Sequence, residues 1–149
     1  MRLVPSVLDA NRIIGDSDEP VGSGEALQLK WVKARDGEWF DLESAPRATD
    51  AQGWGVYVIW SPSDNPGRPG TVLKVGSGNI PIRLYLESLD PELRWFGDVR
   101  LLVTWAVVED PTHRPGVVRY LSERLSPFYH RIVEAPDPET VPVNLPLIA

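Results

Sequence analysis

Three side chains suited to phosphate chemistry lie close together in this sequence. Tyr57 belongs to the run GWGVYVIW (53–60), Lys74 lies near the end of TVLKVG (71–76), and Arg83 follows in IPIRLYLE (80–87). In-line attack at a phosphorus atom needs an oriented water and a positive group beside the phosphate oxygens. A phenol, an ammonium and a guanidinium suit that chemistry only if the fold brings them to one place.

The elements around these residues are strands joined by a long loop. The runs 54–60 and 71–76 are rich in β-branched and aromatic residues, and SPSDNPGRPG (61–70) between them is rich in proline and glycine. This pattern predicts an antiparallel hairpin. Side chains alternate along a strand, so Tyr57 and Ile59 share one face. A buried tyrosine needs a partner for its hydroxyl, and a position over a cleft would supply one.

A helix is predicted directly after the second strand. Asn79 can cap its start, and its apolar residues follow the spacing i, i+3, i+4, i+7. They are Ile82, Tyr85, Leu86 and Leu89. We therefore expect an amphipathic helix with this apolar face and with Arg83 on its flank. Asp90-Pro91 should end it.

The rest of the chain predicts a third core strand and a second helix. The run 99–108 is almost entirely apolar, as in a central strand covered on both faces. From about Val117 to Leu125 a second helix carries one apolar stripe, and Pro127 ends it. The stripe consists of Val117, Val118, Leu121 and Leu125.

This order of elements predicts a small α/β domain. We expect a mixed, largely antiparallel sheet of about three core strands flanked by helices, with an extra N-terminal β-hairpin. Residues 1–26 would form an arm and 27–146 a single domain, with an accessory hairpin at 27–44, a core at 53–146 and a tail at 147–149. The stretch SAPRATDAQG (44–53) is predicted to be a linker.

Composition narrows the possible functions. The chain has 149 residues, no cysteine and two histidines, which excludes disulfides and thiolate metal sites and argues against zinc. A net charge of -6 has the wrong sign for holding duplex DNA by bulk electrostatics. Six arginines against four acids between Arg94 and Arg131 leave room for a local basic face, although a mixed-charge solvated surface explains them equally well. Neither a signal peptide nor a membrane span is evident, so we expect a cytoplasmic protein.

The motifs in their order resemble the GIY-YIG nuclease superfamily. Gly55-Val56-Tyr57 matches the first motif, Lys74-Val75-Gly76 the second, and Arg83 the arginine of the first helix. The resemblance covers roughly 53–146 and implies a DNA or RNA endonuclease dependent on Mg²⁺ or Mn²⁺. By the same resemblance, Tyr57 would position or deprotonate the water and Arg83 would bind the phosphate. Lys74 stands where most members have a tyrosine, and a lysine at this position resembles a phage-associated branch of the superfamily. There it would pair with the phosphate or lower the pKa of a nearby tyrosine.

The metal-binding glutamate of the family has no clear counterpart. At the matching place before Pro127 stands Val118, and the nearest carboxylate of that helix is Glu123. Glu123 lies almost opposite the apolar stripe of the helix, so we expect it to face solvent. The metal ligand is therefore unassigned, with Glu123 as the fallback.

Polar residues elsewhere complete the set of candidates. His130 stands near the place of a family asparagine and is a candidate proton carrier near neutral pH, or a surface histidine. Asn79 and Asn144 join Arg83 as candidate contacts to nucleic acid.

Three interpretations remain open at this point. The first is a metal-dependent nuclease, and the second is a GIY-YIG-like domain without its metal ligand that acts as a nucleic-acid or protein interaction module. The third is an α/β domain whose likeness is accidental, with Tyr57 as a sheet residue and with Arg83 and Lys74 as solvated surface groups. A homodimer through the front hairpin is a further possibility.

Overall fold

A four-stranded antiparallel sheet forms the centre of the structure, a computed structural model that describes residues 26–48, 50–63, 70–95, 100–129 and 137–147. Almost all of the predicted arm, 1–26, lies outside these ranges. The strand order is β1-β4-β2-β3. The strands are β1 (Phe40–Asp41), β2 (Trp54–Ser61), β3 (Thr71–Asn79) and β4 (Leu102–Val107). The mixed α/β class and the antiparallel sheet are confirmed.

Helices cover the sheet on both sides. The chain forms a short 3-10 helix (Ala45–Arg47), α1 (Ile80–Ser88), α2 (Pro91–Arg94) and α3 (Arg114–Leu125). The predicted cap of α1 is confirmed, because Oδ1 of Asn79 accepts a hydrogen bond from the backbone N–H of Ile82 at 3.2 Å. None of the helices within the described ranges has the length and apolar character to cross a membrane.

The two faces of the sheet support separate cores. Alternation along β2 directs Tyr57 and Ile59 towards α1, and Val56, Val58 and Trp60 towards α3. The α1 side is built from Leu42, Ala45, Ala51, Tyr57, Ile59, Leu73, Ile80, Leu84, Leu93, Val103 and Trp105. The α3 side is built from Val56, Val58, Trp60, Val75, Leu102, Val108, Val117, Leu121 and Val143. The predicted stripe of α3 therefore faces the sheet.

Helix α1 turns a different face to the core from the one predicted. Its buried side chains are Ile80, Leu84 and Glu87, whereas the predicted apolar face is exposed. The reason lies in the connection, since Asn79 is both the last residue of β3 and the cap of α1. The direction in which β3 ends thus sets Ile80 against the sheet, and every later position follows with the helical period.

The segment in front of β2 is part of the main sheet layer. A turn forms within the predicted hairpin 27–44, with the Gly37 N–H donating to the Ala34 carbonyl at 2.9 Å, but the arms lie beside β4. Val32 donates to the Trp105 carbonyl at 3.0 Å, and β1 pairs with β4. The stretch 44–53 is not a loose linker, because Ala45 and Ala51 within it are buried. Small side chains allow this close packing.

The segment 141–145 packs as an extended strip. Val143 is buried and forms a parallel bridge with Leu27. Asn144 binds both backbone groups of Leu29, accepting from its N–H at 2.6 Å and donating to its carbonyl at 2.9 Å. The strip therefore holds the front segment against the α3 side of the sheet.

Candidate functional site

Tyr57, Lys74 and Arg83 meet in one cluster, and a fourth residue joins them. The carboxylate of Glu87 on α1 accepts hydrogen bonds from the Tyr57 hydroxyl and, at 2.7 Å, from the Lys74 ammonium. Nη2 of Arg83 lies 3.4 Å from the Tyr57 hydroxyl oxygen and 3.5 Å from Oε2 of Glu87. Glu87 is thus the centre of the arrangement. We call these four residues the Glu87 cluster.

Burial makes Glu87 dependent on its partners. The residue is only 2% exposed, which a carboxylate tolerates only when it is paired and hydrogen-bonded. Its Oε1 is bonded to Lys74 and its Oε2 to Tyr57, with Arg83 alongside. Both oxygens are therefore already engaged by the protein.

Two glycines make room for the cluster. Gly76 lies opposite Tyr57 in the β2–β3 register, and a Cβ at position 76 would overlap the tyrosine ring and hydroxyl. At Gly78 φ is +140°, and a Cβ there would lie 2.8 Å from Cγ of Arg83. Gly78 is therefore needed for its backbone conformation, whereas Gly76 is needed for the space it leaves.

Burial and charge set the protonation of the tyrosine. Desolvation raises the pKa of the Tyr57 hydroxyl well above its ordinary value, and the nearby Glu87 carboxylate raises it further. The pKa of Arg83 is also raised, chiefly by its hydrogen bond with Tyr57. Tyr57 is accordingly a neutral hydrogen-bond donor. That is the opposite of the lowered pKa that an activated base or nucleophile requires.

Asp90 balances the charge around Lys74. Its Oδ2 lies 3.4 Å from the Lys74 ammonium, and its Oδ1 accepts from the Glu92 N–H at 2.9 Å and caps α2. Two cations, Lys74 and Arg83, thus face two carboxylates, Glu87 and Asp90. Such a group presents no excess of positive charge to a phosphate.

The side chains present do not fit a divalent metal ion. Mg²⁺ is usually bound through one or two carboxylates together with waters and phosphate oxygens. The oxygens of Glu87 accept hydrogen bonds from Tyr57 and Lys74. Those of Asp90 accept from Lys74 and from the first turn of α2. Across the described ranges, no three histidine, aspartate or glutamate side chains come together as a possible metal site.

Helix α3 contributes no carboxylate to the cluster. It lies on the other face of the sheet, where Val118 packs against the core. Glu123 faces solvent as expected and binds Arg119, with Oε2 at 3.0 Å from Nε. The fallback assignment of Glu123 as a metal ligand beside Tyr57 therefore has no support in the geometry.

The remaining candidates have other surroundings. Oδ1 of Asn79 caps α1, and the side chain of Asn144 forms hydrogen bonds with the backbone of Leu29 on the α3 side of the sheet. His130 lies outside the described residues. Of the predicted site residues, the structure brings together Tyr57, Lys74 and Arg83.

Glu87 was not among the sequence candidates, although a signal for it exists. It follows Arg83 by four residues, the spacing of neighbours on a helix surface. It also continues the series Ile80, Leu84, Glu87 along one face. That face is less apolar than the one chosen from the sequence, so only knowledge of which side meets the sheet would have identified it.

Comparison with known proteins leaves the family open. The chain matches no protein-family model, no curated protein and no solved structure. The likeness to GIY-YIG nucleases therefore stands on the motif residues and their convergence.

Proposed function

We propose that this chain is a GIY-YIG-like domain that does not hydrolyse phosphodiesters and serves as an interaction module. The observation that carries the proposal is the engagement of Glu87. The two groups that the resemblance assigns to catalysis on the strands, Tyr57 and Lys74, are both bonded to this one buried carboxylate. A structural role for the cluster accounts for every contact in it.

The chemistry of hydrolysis would need a different arrangement. A tyrosine that orients or deprotonates water needs an accessible hydroxyl, whereas Tyr57 is completely buried and its pKa is raised. A phosphate site needs uncompensated positive charge, whereas Lys74 is neutralised by Glu87 and Asp90. The net charge of -6 adds a repulsive background for nucleic acid.

A cleavage assay tests the proposal directly. The full chain is incubated with plasmid, single-stranded DNA and RNA in the presence of Mg²⁺ or Mn²⁺, beside the variant Arg83→Ala. We expect no cleavage by either protein. Cleavage by the wild type that Arg83→Ala has lost would contradict the proposal, and equal cleavage by both would identify a contaminating nuclease.

The endonuclease remains a second candidate because one observation favours it. Three residues of the nuclease motifs, one each on β2, β3 and α1, converge within hydrogen-bond distance of one another or of Glu87. Arg83 also keeps 39% of its side chain exposed, enough for its guanidinium to meet a phosphate. In this case the assay shows metal-dependent cleavage that requires Arg83, with DNA or RNA as the substrate.

Two further predictions concern the protein as a whole. We propose a cytoplasmic location and, through residues 27–44, a homodimer. In the described part of the chain the arms of this segment lie beside β4, and the turn residues 35–37 are among its exposed positions. Sedimentation of the purified chain at several concentrations tests the dimer.

A further inference from the structure

An unusual apolar surface lies on the outer side of α1. Ile82, Tyr85, Leu86 and Leu89 occupy one face of the helix and are 48 to 58% exposed. Single exposed apolar residues are normal, but a contiguous row of four marks an interaction surface. We call these four residues the α1 stripe. The opposite side of the same helix is already satisfied by the sheet through Ile80 and Leu84.

The α1 stripe borders a groove. Tyr85 and Leu89 form one wall, and Pro46 and Arg47 of the 3-10 helix form the other, enclosing about 720 Å³. Arg94 of α2 also lines the groove. A straight apolar row beside a groove between two helical segments matches the surface on which an amphipathic helix lays its apolar face.

Charge indicates what kind of helix fits. Arg47 and Arg94 form no ion pair with any residue in the described ranges, and Glu43 is the acidic residue lining the same groove. The groove is therefore net positive on a chain whose net charge is -6. Arg94 donates a hydrogen bond to the Ser88 carbonyl at 3.5 Å, but neither guanidinium has a carboxylate partner among the described residues. Carboxylates on a partner protein would pair with both.

Nucleic acid fits this surface less well than a protein does. A duplex carries one phosphate charge per about 1.7 Å and needs several cations along its path, whereas two arginines line this groove. Apart from Tyr85, the side chains of the α1 stripe are aliphatic and offer no stacking platform for bases. The combination of aliphatic contact and isolated arginines suits a protein.

We propose that the α1 stripe and its groove bind an acidic amphipathic helix of a partner protein. The proposal rests on the proposed function as an interaction module and names its surface and the chemistry of its partner. Apolar side chains of the partner cover Tyr85, Leu86 and Leu89. Its carboxylates reach Arg47 and Arg94.

Two designed peptides test the charge requirement on the full chain. Each has about 18 residues, long enough for a helix, with leucines at i, i+3, i+4 and i+7. The other positions carry alanine with glutamate in one fluorescein-labelled peptide and alanine with lysine in the second. We expect saturable fluorescence polarisation with the glutamate peptide and at least tenfold weaker binding of the lysine peptide. Equal affinities, or no binding of the glutamate peptide, would overturn the proposal.

Matched variants test the location. Leu86→Ser and Arg47→Glu should each weaken binding of the glutamate peptide about tenfold or more. Leu147→Ser and Arg124→Glu serve as controls, because both change exposed residues outside the groove. All four are surface changes, and circular dichroism melting verifies that each variant folds. Equal weakening by the controls would place binding elsewhere.

A labelled single-stranded DNA separates this inference from its alternatives. Binding of the DNA that Leu86→Ser abolishes would assign the surface to nucleic acid and overturn the inference while leaving an interaction module. Metal-dependent cleavage that requires Arg83 would instead overturn the proposed function, whatever the peptides do. The two failures are therefore distinct.

Discussion

Helices α1 and α3 each carry an arginine and a glutamate four residues apart, and the two glutamates have opposite surroundings. On α1, Arg83 and Glu87 lie at the sheet, and the glutamate is buried and also bonded to a tyrosine and a lysine. On α3, Arg119 and Glu123 bind each other at 3.0 Å on the solvent side of the helix. The sequence spacing is the same in both pairs.

The difference shows how much context decides the role of a charged pair. In water such a pair contributes little, because solvent screens the attraction and both side chains lose freedom. At the sheet the loss of one partner costs more, since it leaves the charge of the buried Glu87 carboxylate less compensated. A functional interpretation of Arg83 must therefore begin from Glu87, which the motif does not include.

The largest expected effect comes from removing the buried carboxylate. Glu87→Ala removes the acceptor of the Tyr57 hydroxyl and leaves the Lys74 ammonium with Asp90 alone, and breaking a buried pair in this way costs about 3–5 kcal/mol. Urea denaturation measures the loss. The matched change on α3, Glu123→Ala, should leave the unfolding midpoint nearly unchanged. Similar losses in both variants would remove the distinction between the two helices.

A smaller loss is expected from filling the space beneath the tyrosine. Gly76→Ala puts a methyl group where the Tyr57 ring lies and should destabilise the fold by about 1–3 kcal/mol through overpacking. In a Tyr57→Leu background the overlap is relieved, so the same substitution should cost clearly less. An undiminished cost in that background would mean that Gly76 serves a purpose other than accommodating Tyr57.

The smallest effect appears only at alkaline pH. Below the ordinary tyrosine pKa of 10.0 the hydroxyl is neutral in both the folded and the unfolded chain, so its full contribution to stability is present. Above that pH the unfolded chain releases the proton while Tyr57 in the folded chain, with its raised pKa, retains it. Stability from this residue therefore falls as pH rises, by up to about 1.4 kcal/mol per pH unit.

Tyr57→Phe isolates that contribution. The wild type should be more stable than the variant near neutral pH, and the difference in free energy of unfolding should shrink between about pH 10 and pH 11. Urea midpoints at a series of pH values measure it. A difference that stays constant across this range would show that the hydroxyl is not held neutral by its surroundings.

Much of the fold was accessible from sequence because it depends on local patterns. Strand alternation identified the face of Tyr57, and the stripe containing Val117 and Leu121 identified the core side of α3. The cap at Asn79 needed only residue type and position. In each of these cases one local sequence pattern was stronger than any other pattern in the same segment.

The parts that sequence did not predict depend on contacts between distant segments. Helix α1 offers two possible faces, and its more apolar face was chosen although Ile80 and Leu84 are the residues that meet the sheet. Glu87 was missed for this reason, because a buried carboxylate can be recognised only when the buried face of its helix and its bonding partners are known. The packing of Ala45 and Ala51 has the same origin, since small residues carry no periodic signal.

Both edges of the sheet are protected against pairing with another chain. On the outer side of β3, the N–H groups of Phe128 and Tyr129 donate to the carbonyls of Val72 and Leu73, each at 2.9 Å. At the other edge β1 is only two residues long, with Asp41 bound to Arg100. Short, charged or covered edges prevent strand addition and cross-β aggregation. The domain can therefore display an apolar helix with little risk of fibril growth from its sheet.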